Sequence, residues 1–394
     1  MGEMASTDDG SLALPLPHPH PHPDPHHELV TLVITTSPTP SAPATDLISA
    51  IIASFKRHCR LLVACRVILV LDTFDRITTE PRLKKGCVTP DGAHNYAAYK
   101  DNAKRLILRE YRRGFHDAVD GDEYDDSVPE LLSVSHDEAE YGADAYAQET
   151  NAVPLTITTT FDNRVTFIEP AQRLGFGLAV RSALRLTTTP YVWIQQHDWS
   201  LVSDIPLAPL LDLMLQARSD GGGDGEARQV VDVPIKYVCF PSVRMANYAT
   251  SDHVMLYPGL KALTNLYKQT FSPAGVRGAA QPSTAPGVKI PLTPLFLWHD
   301  KPHLAETEHY LARVFPTRLA IPRGGFIEDT VGHRARTDMK QGNWKKWACW
   351  LYYPSEGKQL CVRHLKGRTW AGAEGEVAKA QEWILRNTGR LADS

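Results

Sequence analysis

Two aspartates follow apolar runs of the sequence and are candidates for ligand contacts. Asp72 closes the run Arg66–Leu71, and Asp198 comes shortly after the run Pro190–Gln195. Such runs predict buried strands, and open α/β sheets bind ligands beyond the carboxyl ends of their strands. Both carboxylates are therefore expected at a ligand site, where they can contact polar groups. The alternative is that each aspartate only begins a turn.

A second acidic feature is the pair Glu328 and Asp329, which follows Gly324 and Gly325 at the start of a predicted helix. A carboxylate in this position can serve as a general base when a hydroxyl comes within hydrogen-bond reach. Acidic residues also stabilise helix N-termini without any catalytic role. Both interpretations remain open from the residues alone.

The elements that would position these residues alternate between strands and helices. The first unit is a strand at Glu28–Thr36, a helix at Ala44–His58 and the strand Arg66–Leu71. This order predicts a βαβ unit with parallel strands and a right-handed crossover. A similar unit follows later in the chain, with a strand at Arg164–Glu169, a helix at Gln172–Leu186 and the strand Pro190–Gln195.

Other segments complete the predicted fold. They are a helix at Asn95–Arg113, a helix at Pro206–Arg218, a strand at Val230–Phe240, and a loop at Ser272–Val288 that is either mobile near a site or a surface insertion. The apolar runs Trp344–Tyr353 and Gln359–His364 flank a turn and predict a β-hairpin. A last helix is expected at Glu374–Arg386.

These elements predict an α/β fold with a mostly parallel central sheet flanked by helices and a C-terminal hairpin and helix. Residues 28–370 are expected to form one domain. Residues 1–27, rich in proline and histidine, are expected to be a disordered tail, and residues 371–394 a C-terminal helix and tail.

The charge of the chain is nearly balanced but unevenly distributed. With 42 Lys+Arg and 45 Asp+Glu the net charge is −3, which argues against a general nucleic-acid or membrane-coating protein. Residues 117–144 contain 11 acidic and no basic residues, which predicts a solvated inserted loop. Residues 313–368 contain 12 basic and 4 acidic residues, which suits a phosphorylated ligand or an acidic partner. A solvated basic face is the alternative.

The compartment is predicted from features that the sequence lacks. The six cysteines have no CxxC spacing, and the N-terminus has no secretory signal pattern. The longest apolar run, Leu61–Leu71, is too short for a membrane helix and contains Arg66. A cytoplasmic protein without a membrane span is therefore expected.

Four motifs, in order, resemble the GT-A nucleotide-sugar glycosyltransferases, in particular glycosyltransferase family 2. They are LVTLVITTSPTPSAP, VILVLD, VTFIEPAQRLGFGLAVRSALRLTTTPYVWIQQHDW and GGFIEDT. The resemblance covers roughly residues 28–368 without the insertions. It implies a GT-A-like, Rossmann-like catalytic domain that moves a sugar from a nucleoside diphosphate sugar to an acceptor hydroxyl, with inversion.

The resemblance also assigns donor-binding roles. Asp72 would contact the base or ribose, with Thr35, Thr36 and Ser37 in the same pocket. The glycines at 175 and 177 would let the backbone approach the donor, and Arg181 would contact the diphosphate. These candidates are Thr35, Thr36, Ser37, Asp72, Gly175, Gly177 and Arg181.

A divalent cation, Mn²⁺ or Mg²⁺, is the cofactor that the resemblance implies. The family holds it with an Asp-x-Asp motif, and the matching stretch here puts Gln196 at the first acidic position and Asp198 at the last. His364 stands where related enzymes place a further ligand of the metal or the diphosphate. Asp198 and His364 are therefore the predicted metal ligands.

The resemblance also assigns residues to the acceptor, because Glu328 and Asp329 match the Glu-Asp pair of the family. Asp329 is the predicted base and Glu328 the predicted acceptor contact. Basic residues of the C-terminal third could neutralise the diphosphate; they are Arg334, Arg336, Arg363, Lys366 and Arg368.

Two other functions stay open. A catalytically silent GT-A-like binding protein fits the missing first aspartate. A sugar-phosphate nucleotidyltransferase ranks lower, because TTSPTPSAP lacks the glycines of a phosphate loop after the first strand.

Overall fold

The computed structural model describes residues 24–79, 86–116, 132–142, 151–219, 233–273 and 287–370, with 372, 374–379 and 381–382. Its strands are β1 (Val30–Thr36), β2 (Arg66–Leu71), β3 (Arg76–Ile77), β4 (Cys87–Val88), β5 (Leu132–Tyr141), β6 (Asn151–Thr160), β7 (Val165–Pro170), β8 (Tyr191–Gln196), β9 (Trp199–Leu201), β10 (Tyr237–Cys239), β11 (Gln269–Phe271), β12 (Ile290–Pro294), β13 (His303–Glu306), β14 (Cys349–Tyr352) and β15 (Val362–His364).

The described helices are interspersed with these strands along the chain. They are α1 (Asp46–His58), α2 (Leu61–Ala64), α3 (Pro90–His116), α4 (Phe176–Leu186), α5 (Leu207–Ser219), α6 (Asp252–Met255), α7 (Pro258–Tyr267), α8 (Thr307–Val314), α9 (His333–Asp338) and α10 (Trp344–Trp347). Two π-helical segments, Glu328–Gly332 and Met339–Asn343, flank α9.

The described strands build an eleven-stranded sheet in the order β11-β12-β14-β10-β13-β8-β1-β2-β7-β6-β5. The block β7-β2-β1-β8 is parallel, as predicted from the two strand-helix-strand units. The sheet as a whole is mixed rather than mostly parallel, because β5, β6, β11, β12 and β13 pair antiparallel with their neighbours. Short connections such as the one between β6 and β7 impose antiparallel pairing.

The first βαβ unit is confirmed and forms the centre of the core. Every residue of β1 is buried, as expected for a parallel strand covered on both faces. The predicted apolar face of α1 is also buried; it comprises Leu47, Ile48, Ile51, Ile52 and Phe55. This packing fixes the carboxyl ends of β1 and β2 relative to each other.

The acidic segment predicted as a loop at 117–144 contains an edge strand over the residues that the structure describes there. β5 pairs with β6 along its whole length, yet most of its side chains are exposed. An edge strand satisfies its backbone on one side while Asp137, Glu138 and Glu140 keep their carboxylates in solvent, so charge density did not prevent a strand. Residues 117–131 and 143–144 lie outside the described residues.

The predicted C-terminal hairpin does not form. β14 lies between β10 and β12, so both of its edges are already hydrogen-bonded. β15 pairs instead with β9, antiparallel, in a separate two-stranded sheet. This exchange brings His364 opposite Trp199, next to the end of β8.

Three other predictions change in extent. Of the strand expected at Val230–Phe240, the structure describes residues 233–240, and the strand there is β10. The helix α3 is longer than the helix expected at Asn95–Arg113, and residues 374–379 and 381–382 of the predicted last helix are helical. Most of the predicted loop 272–288 and the remainder of that last helix lie outside the described residues.

The end of the predicted N-terminal tail is folded onto the domain. Pro25–Glu28 form a single 3₁₀ turn, and the His26 ring is buried against α5. Its Nδ1 lies 2.5 Å from Asp24 Oδ1 and its Nε2 lies 2.7 Å from Asp212 Oδ1. Burial opposes protonation, but the two carboxylates outweigh it and raise the pKa of His26 to about 9. Residues 1–23 lie outside the described residues.

The contacts of His26 with Asp24 and Asp212 are called here the His26 clasp. They predict that the protein becomes less stable as the pH rises above neutral. Because the pKa of His26 is raised from 6.5 to about 9 on folding, its contribution is complete below pH 6.5 and disappears as pH rises through 9. We expect the free energy of unfolding of the wild type to fall by up to about 3 kcal/mol across this window, and Asp212→Asn to flatten the fall. Urea denaturation at several pH values measures both.

The matched control is Asp204→Asn, which removes a carboxylate 2.8 Å from His58 Nδ1 where the Asp204 side chain is 87% exposed. It should leave the profile unchanged, because exposed ion pairs contribute little. Buried histidines whose pKa is lowered, such as His303, change the free energy of unfolding only at acidic pH. Equal alkaline slopes in the wild type and Asp212→Asn would contradict the clasp.

Candidate functional site

A cleft of about 810 Å³ lies beyond the carboxyl ends of β1, β2 and β8. The chain runs from β1 to β2 and β7 on one side, and then returns to place β8 on the other side of β1. Such a reversal is the topological switch point of an α/β sheet, where ligands bind. The cleft is therefore the expected ligand site of this fold.

Most of the predicted site residues meet in this cleft, and four do not. Its lining includes Thr35, Thr36, Ser37, Asp72, Gly175, Asp198 and His364. Gly177, Arg181, Glu328 and Asp329 are not part of that lining. The residues near the strand ends thus lie together in the cleft, and the four exceptions come from α4 and the Glu-Asp pair.

The carboxylate of Asp72 is hydrogen-bonded to backbone amides of the protein. Its Oδ1 accepts hydrogen bonds from the amides of Leu174 (2.7 Å) and Thr73 (2.9 Å), and its Oδ2 from the amide of Gly175 (2.9 Å). Burial raises the pKa of Asp72 in spite of these donors. The carboxylate thus anchors the loop that enters α4, and the predicted contact with a nucleotide base or ribose stays a prediction.

The hydroxyl of Thr36 is also engaged within the protein. It lies 2.5 Å from the hydroxyl of Tyr99 on α3, and both residues are buried. This contact ties α3 to the end of β1 and so fixes one wall of the cleft.

The glycines at 175 and 177 serve a close backbone contact rather than an open approach. Gly175 has φ +80°, and a Cβ there would lie 2.4 Å from Gly324 Cα. A Cβ on Gly177 would lie 2.8 Å from Ile321 Cγ2, and its amide donates to Gly325 O at 3.1 Å. The two glycines that were predicted to leave room for the donor therefore leave room for the segment 321–325. Gly175 also lines the cleft.

Arg181 points to a different part of the molecule from the one predicted. Its Nη1 donates to the carbonyl oxygen of Glu140 on β5 at 2.8 Å. Arg185, one turn later on α4, lies near Glu138 O in the same way at 3.5 Å. The structure thus uses Arg181 to support the edge strand, outside the cleft lining.

Asp198 and His364 form a direct pair, although 166 residues separate them in the chain. Asp198 Oδ2 lies 3.0 Å from His364 Nε2 and accepts the amide of Gly367 at 3.1 Å. Burial opposes ionisation, but His364 and the other donors outweigh it and lower the pKa of Asp198. The carboxylate is therefore ionised and holds the segment 364–369 against the end of β8.

His197 is a cleft residue that sequence reasoning missed. Its Nδ1 accepts the backbone amide of Ser37 at 3.3 Å, and burial lowers its pKa. A neutral imidazole that accepts at Nδ1 carries its proton on Nε2, on the side where Gly367 passes close by. Its position between Gln196 and Asp198 was the available signal.

Gln196 connects the cleft to the Glu-Asp pair. Its Nε2 donates to Asp300 O at 2.8 Å. Asp300 and Glu328 then bond reciprocally, since the amide of Glu328 donates to Asp300 Oδ1 (3.1 Å) and the amide of Asp300 donates to Glu328 Oε2 (3.3 Å). The neutral side chain of Gln196 thus links the end of β8 to Asp300.

Glu328 is held by this network, whereas Asp329 is exposed. His299 Nδ1 lies 3.2 Å from Glu328 Oε2. Burial opposes ionisation, but His299 outweighs it and lowers the pKa of Glu328 to about 2. The carboxylate of Glu328 is thus ionised and is held by contacts within the protein.

Three basic residues line the cleft. Lys366 and Arg368 were among the predicted diphosphate contacts, and both are exposed. Arg173, which sequence reasoning missed, pairs with Asp75 through Nη1 and Oδ2 at 3.0 Å. Arg323 binds the other oxygen of Asp75 at 2.9 Å. Arg334, Arg336 and Arg363 are not part of the lining.

The contacts of Asp198 and His364 do not fit a resident divalent cation. Asp198 Oδ2 already accepts two hydrogen bonds, and Gln196 supplies no second carboxylate. Among the residues that the structure describes, no three His, Cys, Asp or Glu side chains come together as metal ligands. Divalent cations of this kind prefer several oxygen ligands, carboxylates above all.

Taken together, the fold and the cleft define an α/β protein with a Rossmann-like parallel core and a ligand cleft at its switch point. None of the described helices combines the length and the apolar character needed to cross a bilayer.

No protein-family model matches the sequence, and no curated protein matches it either. Among solved structures, the chain is similar to a mannosyltransferase from Pyrobaculum calidifontis in complex with GDP-Man and Mn²⁺, at 12% identity and a TM-score of 0.32. The match covers 84% of this chain and 58% of that chain.

Proposed function

We propose that this chain is a GT-A-like glycosyltransferase, similar to family 2, that transfers a sugar from a nucleoside diphosphate sugar to an acceptor hydroxyl. The observation that carries the proposal is the cleft at the switch point, where Asp198 and His364 meet Lys366 and Arg368. Its volume of about 810 Å³ is ample for a nucleotide sugar.

The donor would lie across the ends of the parallel strands. The hydroxyl groups of Thr35 and Ser37 line the cleft and would face the nucleoside, and Lys366 and Arg368 offer positive charge to the diphosphate. Charge-assisted hydrogen bonds of this kind stabilise the negative charge that grows on a departing diphosphate.

The acceptor would enter beside the start of the helical segment that contains Asp329. Phe326 lines the cleft, and Asp329 follows it by three residues with an exposed carboxylate. We propose that Asp329 takes the proton of the acceptor hydroxyl in an inverting transfer. The carboxylate of Asp329 is exposed, so an incoming acceptor hydroxyl can reach it.

A catalytically silent nucleotide-binding protein is the second candidate. The neutral Gln196 at the first acidic position, hydrogen-bonded to Asp300 O, favours it. Binding with no transfer of any sugar would distinguish it from the enzyme.

The test combines binding with turnover. GDP and UDP are screened by thermal shift, because a ligand at about 100 times its dissociation constant stabilises by roughly 2.7 kcal/mol. The sugar conjugates of the nucleotide that binds are then assayed for hydrolysis and transfer. We expect Asp329→Asn to lower turnover at least about 100-fold with donor affinity unchanged, since a general base contributes on this scale.

The matched control is Asp101→Asn, an exposed carboxylate of α3 outside the cleft lining, which should retain wild-type turnover. If neither nucleotide binds, the proposed function is wrong. If Asp329→Asn keeps a near-normal rate, Asp329 is not the base.

A further inference from the structure

We propose that the segment 364–369 takes the place of a divalent cation in this cleft and binds a diphosphate group without metal. The inference rests on the proposed function for the identity of the ligand. It concerns how the negative charge of that ligand is balanced.

The carboxylate of Asp198, which a metal ion would need, is already engaged by the segment 364–369. Asp198 receives His364 Nε2 at 3.0 Å and the amide of Gly367 at 3.1 Å on one oxygen, and its carbonyl accepts the amide of Leu365 at 2.6 Å. These three bonds come from consecutive parts of one segment. Asp198 is therefore a positioning residue for the segment.

The position two residues before Asp198 carries no charge. Gln196 is neutral, and its amide group is directed to Asp300 O at 2.8 Å. A lone carboxylate that already accepts two hydrogen bonds is a poor substitute for the carboxylate pair that holds a hydrated cation.

The segment 364–369 makes a tight turn beside the end of β8. Gly367 is buried so tightly that a Cβ there would lie 2.8 Å from His197 Nε2 and 2.9 Å from Asp198 Oδ2. Lys366 has φ +57°, a left-handed conformation that turns the chain next to this contact. The backbone is thus pressed against the end of β8, and the residues on both sides of Gly367 line the cleft.

The side chains of Lys366 and Arg368 can reach a ligand in the cleft. Lys366 and Arg368 are exposed, and within the described part of the chain neither forms an ion pair with a carboxylate. Arg173, by contrast, is paired with Asp75. The two positively charged side chains lie on a segment that Asp198 anchors. They can supply the positive charge that a divalent metal ion would otherwise bring.

The experiment measures binding of inorganic pyrophosphate by titration calorimetry, in EDTA and in excess Mn²⁺. We expect pyrophosphate to bind in EDTA, and Mn²⁺ to tighten binding by no more than about twofold. The double variant Lys366→Gln/Arg368→Gln should bind at least about tenfold more weakly in EDTA, because each charge-assisted hydrogen bond to an anion contributes measurably.

Two further variants separate the effect of charge from that of folding. Lys366→Arg/Arg368→Lys keeps both charges and should retain most of the affinity, and Arg363→Gln removes a charge from β15 outside the cleft lining and should bind as the wild type does. Should the double variant not fold, the wild type alone still tests the idea, because its affinity in EDTA must fall as NaCl is raised.

Binding that requires Mn²⁺, wild-type affinity in the folded double variant, salt-independent affinity, or no binding of pyrophosphate at all would each overturn the inference. Parallel titrations with GDP and UDP keep the two proposals apart. If pyrophosphate binds in EDTA and neither nucleotide binds, the proposed function fails and the inference stands. If nucleotides bind only with Mn²⁺, the inference fails and the proposed function stands.

Discussion

Gly175→Ala is expected to destabilise the protein by about 2–6 kcal/mol. Gly175 has φ +80° and ψ 166°, a conformation that is essentially restricted to glycine and costs other residues about 1–3 kcal/mol. The new Cβ would lie 2.4 Å from Gly324 Cα and 2.7 Å from Gly324 C, which are backbone atoms that cannot rotate away. Forced overpacking adds about 1–3 kcal/mol. Urea denaturation followed by circular dichroism measures the loss.

The matched control is Gly259→Ala in α7, where a Cβ would meet nothing within 4 Å. This substitution should be neutral or stabilise by up to about 1 kcal/mol, because alanine reduces the entropy of the unfolded chain. A Gly175→Ala protein as stable as the wild type would show that the contact between α4 and the segment 321–325 is not required.

Asp72→Ala is expected to destabilise the protein by at least about 3 kcal/mol. The carboxylate accepts amides from Thr73, Leu174 and Gly175, and the last two contacts are buried. Removal of the acceptor leaves these donors without a partner, and each unsatisfied buried donor costs about 1–3 kcal/mol. The same denaturation experiment measures the effect.

Asp72→Asn should lose less than Asp72→Ala, because one carbonyl oxygen remains to accept. Asp91→Ala removes an exposed carboxylate from the same cleft and serves as the control, with an expected change within about 0.5 kcal/mol. Equal stability of Asp72→Ala and Asp91→Ala would mean that Asp72 does not anchor the loop.

The local patterns of the sequence predicted the parallel core because β1, α1 and β2 follow each other with short connections and a clear apolar period. Placement of Asp72 and Asp198 at one cleft followed from this local order and from the rule that parallel strands share a carboxyl edge. The family resemblance added His364, which the structure places against Asp198.

The features that were missed depend on pairings between distant segments. Nothing in the run 359–364 indicates that it pairs with β9 instead of β14, because that choice depends on which edges remain free. The function of the glycines at 175 and 177 depends likewise on Gly324 and Ile321, about 150 residues later. Charge counts could not separate Lys366 and Arg368 from Arg334 and Arg363, since only the fold decides which side chains face the cleft.

The contacts that α4 makes with β5 have a consequence for solubility. Among the strands that the structure describes, β5 is terminal in the eleven-stranded sheet, and a long terminal strand can pair with a strand of another chain. Arg181 and Arg185 lie against the carbonyl oxygens of Glu140 and Glu138, so those acceptors are withdrawn from any incoming strand. The two arginines thus disfavour self-association of the protein through the part of β5 that contains Glu138 and Glu140. The acidic side chains of β5 also repel a second copy of the same strand.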